Sequence, residues 1–235
     1  MQPNQQLTHP TVSASDGVLQ SVPLDPWEAA YARFETPEEE INKFLERLKF
    51  LGVARLPRDL QVVELFCGRG NGLHALSRLG FTNIEGADIS PRLLALYSGP
   101  AKCYASDCRQ LPLPDQSKDV LIVQGGLHHL PALPHDLEET FREMRRVVRN
   151  EGRVVIVEPW RTPFLRLIHP LSEIPLLRRI SVKLDAFATM THHERTTYER
   201  WLNNPSAILA LAHSYFSPVH ESFAWGKWRF VGRPR

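Results

Sequence analysis

The sequence predicts an α/β fold with a mostly parallel sheet and helices on both faces. Residues 61–80 combine a short apolar run, a glycine-rich turn and an amphipathic helical pattern. Strand and helix patterns then alternate as far as residue 157, as the crossovers between parallel strands require. Residues 219–231 read as two strands around Trp225-Gly226 and so indicate a closing antiparallel hairpin.

The composition of the 235-residue chain fits one such domain. The net charge of +2 favours neither an anionic nor a cationic partner. Cys67, Cys103 and Cys108 lack metal-ligand spacing and cannot all pair, so we expect reduced thiols and a cytoplasmic protein. No apolar run approaches the ~20 residues of a membrane span, and no secretory signal is visible.

The chain begins with polar residues, and we expect residues 1–22 to be a disordered tail before a domain over residues 23–235. Thr36-Pro37 then predicts the start of a helix, because threonine is a good N-cap and proline suits the first turn. Apolar residues recur at helical spacing from Ile41 to Leu51. We therefore expect this helix to lie on the sheet.

The turn within residues 61–80 has glycines at positions 68, 70 and 72, and Glu64 precedes it. Glycine tolerates positive φ and has no Cβ, so a ligand can approach the backbone beside the unpaired N–H groups of a helix start. The G-x-G-x-G spacing differs from the G-x-G-x-x-G of nicotinamide-binding loops. The pattern therefore favours a different cofactor, and a tight turn without a ligand is the alternative.

A second candidate is Asp88, which ends the strand pattern of residues 83–88. An acid at the carboxyl end of the second strand can accept hydrogen bonds from both hydroxyls of a ribose. Ile89 would then lie against the adenine face. The alternative for Asp88 is an N-cap or turn acid before the helix that Ser90-Pro91 introduces.

The glycine loop resembles motif I of the class I S-adenosylmethionine-dependent methyltransferases, usually D/E-x-G-x-G-x-G. Phe66 stands where the first glycine of that motif lies. Variants reading LFCG occur in that superfamily, notably among RNA methyltransferases. The resemblance implies a Rossmann-like fold with a seven-stranded, mostly parallel sheet and an antiparallel last strand. It also implies S-adenosylmethionine as cofactor, S-adenosylhomocysteine as product, and cofactor contacts by Glu64, Phe66, Cys67, Gly68, Gly70 and Gly72.

Residues 107–120 read D-x-x-x-L-P-L-P-D-x-S-x-D-V, which is similar to the stretch between strands three and four in methyltransferases related to the quinone-biosynthesis enzymes. That resemblance implies that Asp107 holds the adenine amino group and that Cys108 offers its backbone N–H to the ring. It implies that Gln124 ends strand four beside the methionine moiety. Asp107 as a turn former is the alternative.

Two histidines, His128 and His129, follow Gly125-Gly126 at the carboxyl end of the fourth strand, where ligands bind in open α/β sheets. A histidine there could remove a proton from an acceptor hydroxyl or amine, since its pKa lies near neutrality. Both are therefore candidate catalytic residues. Packing around the cofactor and helix capping are the alternatives.

Residues 160–204 form an insertion of short apolar and basic helical patterns, broken by prolines. In related methyltransferases such an insertion caps the acceptor pocket, so Trp160 and Phe164 are candidate substrate contacts. Tyr31 is a candidate lid residue, because the region before the first helix folds over the cofactor in many methyltransferases. The basic residues within 163–183 face either water or acidic headgroups of a membrane surface.

A metal site is not expected. His192-His193-Glu194 has suitable donors, but neighbouring residues on a helix point apart, and no further ligands are evident.

The resemblance implies in-line transfer of a methyl group from S-adenosylmethionine to a small, apolar or aromatic metabolite. RNA methylation is one alternative, although the modest charge and the lack of a basic stripe disfavour a nucleic-acid partner. A non-catalytic cofactor-binding protein with a regulatory or assembly role is another. The sequence leaves the oligomeric state open.

Overall fold

The computed structural model describes residues 26–235, with side chains omitted at positions 26–28 and 32. The tail predicted for residues 1–22 lies outside the described residues. In the described part, the strands are β1 Gln61–Leu65, β2 Asn83–Asp88, β3 Lys102–Ala105, β4 Lys118–Gln124, β5 Val148–Pro159, β6 Phe216–Ala224 and β7 Lys227–Pro234. The helices are α1 Pro26–Phe34, α2 Pro37–Phe50, α3 Asn71–Arg78, α4 Pro91–Leu94, α5 His135–Val147, α6 Pro163–Ser172, α7 Pro175–Ile180, α8 Val182–His193, α9 Arg195–Asn203 and α10 Pro205–Tyr215.

The strands of residues 26–235 form a 7-stranded sheet in the order β3-β2-β1-β4-β5-β7-β6. Strand β1 pairs in parallel with both β2 and β4, and β7 runs antiparallel to both β5 and β6. The predicted seven-stranded sheet with an antiparallel last strand is confirmed. The strand order turns back between β1 and β4, and such a switch point opens a crevice at the carboxyl ends of the strands.

The two faces of the sheet bury separate cores, because the central strands are apolar on both sides. On one face, α5, α9 and β6 supply Phe141, Trp201 and Phe216 to a buried core. On the other face, α2 and α3 bury Phe44 and Leu76. Full burial of one large apolar side chain stabilises a fold by about 1.5–3 kcal/mol. The two cores hold the carboxyl ends of β1, β2 and β4 in fixed relative positions.

Helix α2 begins where the sequence predicted. The Thr36 hydroxyl accepts a hydrogen bond from the Glu39 N–H at 3.2 Å, and the Glu39 carboxylate accepts one from the Thr36 N–H at 2.9 Å. This reciprocal capping satisfies N–H groups that the first turn leaves unpaired. The start of α2 is thereby fixed beside the glycine loop.

Residues 160–204 supply helices α6 to α9, and these close over the carboxyl edge of the sheet together with α1. Helix α8 packs against α1, where the rings of Phe187 and Phe34 lie 6.4 Å apart and Arg33 pairs with Asp185 at 3.1 Å. Among residues 26–235, no helix has the length and apolar character needed to cross a membrane.

Candidate functional site

A cavity of about 1130 Å³ lies at the carboxyl edge of the sheet, between the glycine loop and the helices that cover it. Its wall is formed by the ends of β1, β2 and β4 on one side and by α1, α2, α6 and α8 on the other. It brings together most of the residues predicted from the sequence: Tyr31, Glu64, Phe66, Cys67, Gly68, Asp88, Ile89, Asp107, Cys108, Gln124, His128, His129 and Phe164.

Glu64 is a buried acid of the cavity wall, with 3% of its surface exposed. Gln124 Nε2 donates to Glu64 Oε1 at 3.3 Å, but Oε2 has no hydrogen-bond partner among the described residues. Burial raises the pKa of this carboxyl to about 8. An unsatisfied buried carboxylate oxygen is costly, so this position suits a cationic ligand group that donates hydrogen bonds.

Gly70 and Gly72 do not line the cavity, and their contact with the cofactor stays a prediction. A Cβ on Gly72 would lie 2.0 Å from Glu64 Oε1, and one on Gly70 would lie 2.2 Å from a ring carbon of Tyr97. Gly70 also has a φ of +81°, which favours glycine. The two glycines therefore leave room for protein side chains, and Gly68 is the one of the three loop glycines that lines the cavity.

Phe66 occupies the position of the first motif glycine and keeps a glycine-like backbone, with a φ of 56°. A left-handed conformation at a residue other than glycine costs about 1–3 kcal/mol. Its ring packs on Gly126, where a Cβ would lie 2.1 Å from Phe66 Cγ. The substitution thus preserves the turn and adds an aromatic ring to the cavity wall.

Asp88 ties the glycine loop to the second strand. Its Oδ2 accepts a hydrogen bond from the Gly68 N–H at 2.8 Å, and its Oδ1 accepts one from the Ser90 N–H at 2.8 Å. Each carboxylate oxygen has a further lone pair, so Asp88 can still accept hydrogen bonds from a ligand. Ile89 follows Asp88 with 71% of its surface exposed. This apolar side chain is available to pack against a flat ligand.

Asp107 is fixed by Arg109, a partner that the sequence did not suggest. The guanidinium contacts both carboxylate oxygens, with Nη2 at 2.6 Å from Oδ2, and also pairs with Asp136 at 3.0 Å. The Arg109 hydrogen bonds hold the pKa of Asp107 below its usual value. The neighbouring Cys108 is half-buried, and burial raises the pKa of its thiol to about 11, so it stays uncharged.

His128 is oriented by Glu158, the last acid of β5. Glu158 is fully buried, and its Oε1 accepts the N–H groups of Gly126 and Leu127 at 2.7 and 2.8 Å. Burial opposes ionisation of Glu158, but these donors and His128 outweigh it and lower its pKa. Since an ionised carboxylate only accepts, the 2.7 Å contact assigns the proton to His128 Nδ1, which donates to Glu158 Oε2.

Glu194, at the junction of α8 and α9, is the residue through which the insertion contacts His128 and His129. Its Oε2 lies 3.7 Å from His128 Nε2, and its Oε1 lies 3.5 Å from His129 Nδ1. Burial opposes protonation of His128, but the hydrogen bond with Glu158 and the nearby Glu194 carboxylate outweigh it and raise the pKa of His128. Burial and the neighbouring His128 lower the pKa of His129 to about 4. The pKa values of the two neighbouring histidines are therefore shifted in opposite directions.

Tyr31 lines the cavity and is joined to the glycine loop through Glu40, a buried acid of α2. The Tyr31 hydroxyl donates to Glu40 Oε1, and Asn71 Nδ2 donates to Glu40 Oε2 at 2.6 Å. Arg69 also lies over the Tyr31 ring, 5.1 Å from its centroid. Glu40 was absent from the sequence prediction because its partners on the glycine loop side, Arg69 and Asn71, are about thirty residues away.

The two predicted substrate contacts of the insertion lie in different places. Phe164 reaches the cavity and packs edge-on against Trp225, with ring centroids 5.5 Å apart. Trp160 does not line the cavity. Its ring is buried between Phe223 and Trp228, at centroid distances of 5.3 and 5.6 Å. In this structure Trp160 packs where β5 meets the hairpin, and its assignment as a substrate contact stays a prediction.

Residues 63–156 match a family model described as a methyltransferase domain. The chain carries a class I S-adenosylmethionine-dependent methyltransferase domain. The match spans β1 to β5 and so includes the glycine loop, Asp88, Asp107 and both histidines of the methyltransferase. No curated protein sequence matches the chain significantly.

Solved structures similar to the methyltransferase have low sequence identity and show the fold. The PH0226 protein of Pyrococcus horikoshii is 17% identical over 91% of this chain and 100% of that one, with a TM-score of 0.66. An S-adenosylmethionine-dependent methyltransferase of Mesorhizobium loti is 17% identical over 80% and 97%, with a TM-score of 0.52. A chain in a complex of the Haloferax volcanii methyltransferase activator Trm112 is 14% identical over 88% and 97%, with a TM-score of 0.54.

The cavity residues of the methyltransferase fit its cofactor chemically. S-adenosylmethionine has an ammonium group, and the unpartnered Oε2 of Glu64 is a buried acceptor for such a group. Its ribose has two hydroxyls that donate hydrogen bonds. Asp88, on the strand next to that of Glu64, has lone pairs available to accept them. The faces of the adenine ring are flat and apolar, and the exposed Ile89 side chain offers them an apolar contact surface.

Proposed function

We propose that the methyltransferase acts on a small, apolar or aromatic acceptor. The observation that carries this proposal is the continuity of the cavity, which is lined by Glu64 and Asp88 as well as by His128 and Phe164. A donor and an acceptor bound in one water-poor cavity react as if within one molecule, which can supply about 7–11 kcal/mol of rate acceleration.

We assign the cofactor to the part of the cavity beside the glycine loop. When bound there, S-adenosylmethionine supplies a methyl group activated by its sulfonium. Glu64 would accept the ammonium, Asp88 the ribose hydroxyls, and Asp107 the adenine amino group. Cys108 would meet the ring through its backbone N–H, and Gln124 would lie beside the methionine moiety. Tyr31 and Glu40 would keep α1 closed over the loop.

The remaining part of the cavity supports an apolar acceptor. Its wall is supplied by α1, the insertion and the β6–β7 turn, and most of the side chains there carry no charge. Such a lining displaces water and rewards apolar contact area, while a few polar groups orient the ligand. The apolar side chains are Phe34, Phe164, Leu165, Ile168, Leu184, Phe187, Met190 and Trp225.

His128 and His129 are the polar groups that we place beside the reacting atom of the acceptor. Glu158 fixes the ring of His128 through a 2.7 Å hydrogen bond, so its Nε2 has a defined direction. Glu194 lies within 3.7 Å of one nitrogen of each ring and joins the insertion to them. This cluster can orient an acceptor hydroxyl or amine and take part in removing its proton.

A panel of small acceptors tests the proposed function. The purified protein would be incubated with S-adenosylmethionine and phenolic, aliphatic or amine acceptors, and S-adenosylhomocysteine and methylated products would be measured by mass spectrometry. We expect turnover of an apolar acceptor, with a raised KM in Phe164→Ala and normal KM in Phe223→Ala, which alters an exposed ring outside the cavity wall. Methylation of RNA but of no small acceptor would contradict the proposal.

We also propose that the insertion contacts membrane surfaces peripherally. Three apolar side chains on α6 and α7 face solvent, Leu167, Leu176 and Ile180, and Arg179 is exposed beside them. Apolar side chains together with a basic residue suit an anionic lipid surface. Co-sedimentation with phosphatidylserine vesicles should fall in a Leu176→Ser, Ile180→Ser variant and persist in the control Val219→Ser. Equal sedimentation of the two variants would contradict this contact.

A further inference from the structure

The side chains of His128, His129 and Glu194 lie close together but too far apart for good hydrogen bonds with one another. The two nitrogen-to-oxygen distances, 3.7 and 3.5 Å, exceed those of ordinary hydrogen bonds. Among the described residues, the Glu194 carboxylate has no other side-chain partner. Each residue nevertheless offers one potential ligand atom, and the three atoms lie within 4.8 Å of one another.

These separations match the ligand spacing around a small metal ion. Zinc binds histidine nitrogen at about 2.0–2.1 Å and carboxylate oxygen at about 2.0–2.2 Å, so neighbouring ligands in a tetrahedron stand about 3.3–3.5 Å apart. The nitrogen-to-oxygen distances of 3.5 and 3.7 Å, each to a different oxygen of Glu194, are close to that spacing. The three ligand atoms lie within 4.8 Å of one another, so a bound ion would draw them together. Two imidazoles and one carboxylate are also a donor set that divalent transition metals prefer.

Glu158 supplies the outer contact that histidine ligands of metals commonly have. It accepts the Nδ1–H of His128 at 2.7 Å, which leaves Nε2, 3.7 Å from Glu194 Oε2, as the nitrogen available to a metal ion. A carboxylate in this role fixes both the tautomer and the orientation of a metal-bound imidazole. The two backbone N–H groups that bind Glu158 hold this support rigidly.

We propose that His128 Nε2, His129 Nδ1 and the Glu194 carboxylate bind one divalent transition-metal ion of the zinc type. Three protein ligands leave one coordination position open, which is the pattern of catalytic rather than structural zinc sites. All three residues line the cavity, so the open position faces the end at which we place the acceptor. The metal site would then select acceptors that offer an oxygen, nitrogen or sulfur atom to the ion. This last step rests on the proposed function, whereas metal binding does not.

The sequence prediction of no metal site considered Glu194 only with its chain neighbours His192 and His193. The fold instead pairs it with histidines more than sixty positions earlier in the chain. A second cluster on α5, His135, Asp136 and Glu139, lacks these features. The His135 side chain is 73% exposed, and Asp136 is already engaged by Arg109 and by the Ala132 N–H.

The test is a metal titration of the full chain, purified without a polyhistidine tag and stripped with a chelator. Zn²⁺ binding is measured by calorimetry and by elemental analysis after gel filtration, and Co²⁺ reports the geometry through its visible absorption. We expect one ion per chain, an intense low-symmetry Co²⁺ spectrum, and loss of both in Glu194→Gln and in His129→Ala. The matched controls His193→Ala and His135→Ala should bind like the unaltered protein.

Three results would overturn the metal site: no stoichiometric binding to the unaltered protein, full binding by Glu194→Gln, or loss of binding in His135→Ala. Thermal unfolding of each stripped variant shows that loss of binding is not loss of the fold. S-adenosylhomocysteine is titrated in parallel and should bind the variants with unchanged affinity. Its binding without Zn²⁺ binding would refute the metal site and leave the proposed function standing.

Discussion

Glu158 accepts the Nδ1–H of His128 at 2.7 Å while its other oxygen accepts two backbone N–H groups at the end of β4. This one buried carboxylate therefore fixes both the chain direction after β4 and the orientation of a histidine that lines the cavity. The link joins β5 to the acceptor side of the site. It explains how the sheet itself, and not only the insertion, positions the proposed chemistry.

Substituting Glu158→Gln tests this link. The glutamine amide keeps the shape of the carboxylate but has no charge. Its NH₂ group would replace one oxygen that now accepts a hydrogen bond, so two donors would face each other. We expect a loss of about 1–3 kcal/mol in the free energy of unfolding, because buried partners are left unsatisfied. We also expect a lower kcat with unchanged S-adenosylhomocysteine affinity, since the cofactor lies at the other end of the cavity. Glu199→Gln, an exposed acid of α9, is the control, and an unchanged kcat in Glu158→Gln would count against the link.

Asp88→Ala should weaken cofactor binding by about 1.5–3 kcal/mol if the carboxylate accepts both ribose hydroxyls. Part of the loss will reflect the Gly68 and Ser90 N–H groups that Asp88 now binds. Calorimetric titration with S-adenosylhomocysteine measures the effect, and Asp115→Ala, an exposed acid, serves as the control. Equal affinity in a folded Asp88→Ala protein would rule out the assignment of Asp88.

Cofactor binding should depend on pH through Glu64. Burial raises the pKa of this carboxyl from 4.5 to about 8, so the ligand-free folded protein holds a proton that the unfolded chain releases. The free energy of unfolding of the ligand-free protein, compared with that of Glu64→Gln, should therefore fall as the pH rises from 4.5 to about 8. A cationic ligand group favours the ionised form, so affinity for S-adenosylhomocysteine should increase up to about pH 8.

Calorimetry in buffers of different ionisation enthalpy checks this pH dependence directly. Below the pKa of Glu64, ligand binding should release a proton from the unaltered protein, and Glu64→Gln should show no such release. Equal proton release by the two proteins would contradict the assignment of Glu64 to the ligand's ammonium.

Backbone strain at Phe66 can be measured with two substitutions that both remove the ring. Phe66→Ala retains a Cβ at a φ of 56°, whereas Phe66→Gly removes the Cβ and with it the backbone strain. We expect Phe66→Gly to be more stable than Phe66→Ala by about 1–2 kcal/mol in denaturant unfolding, because the left-handed region penalises a Cβ by that amount. At an ordinary helical position the order is reversed. An alanine variant as stable as the glycine variant would show that the position is unstrained.

The sequence was informative about the fold because its signals are local. The strand, glycine turn and helix of residues 61–80 lie within one continuous stretch, and so does the closing hairpin. The capping pair at Thr36 and Glu39 is likewise three residues apart. Hydrophobic periodicity and turn chemistry report such elements directly. The three cysteines are free, while the cytoplasmic location inferred from them stays a prediction.

The sequence was less informative about the site because its decisive contacts join distant residues. Glu158 is thirty residues from His128, and Glu40 is thirty-one residues from Asn71. One signal was available for Glu158, since an acid that ends an apolar strand at the carboxyl edge belongs to the ligand side of an α/β sheet. Glu194 carried no such signal. Its role depends on how the insertion packs, which local patterns do not specify.

The most direct measurement of the central claim is calorimetric titration of the protein with S-adenosylhomocysteine, with NAD as the control ligand. We expect one site per chain with a Kd in the micromolar range, about −8 kcal/mol, and no heat from NAD. S-adenosylhomocysteine binding should weaken by about 1.5–3 kcal/mol in Asp88→Ala and be unchanged in Phe164→Ala. Binding of NAD, or S-adenosylhomocysteine binding that Asp88→Ala leaves intact, would contradict the cofactor site described for this cavity.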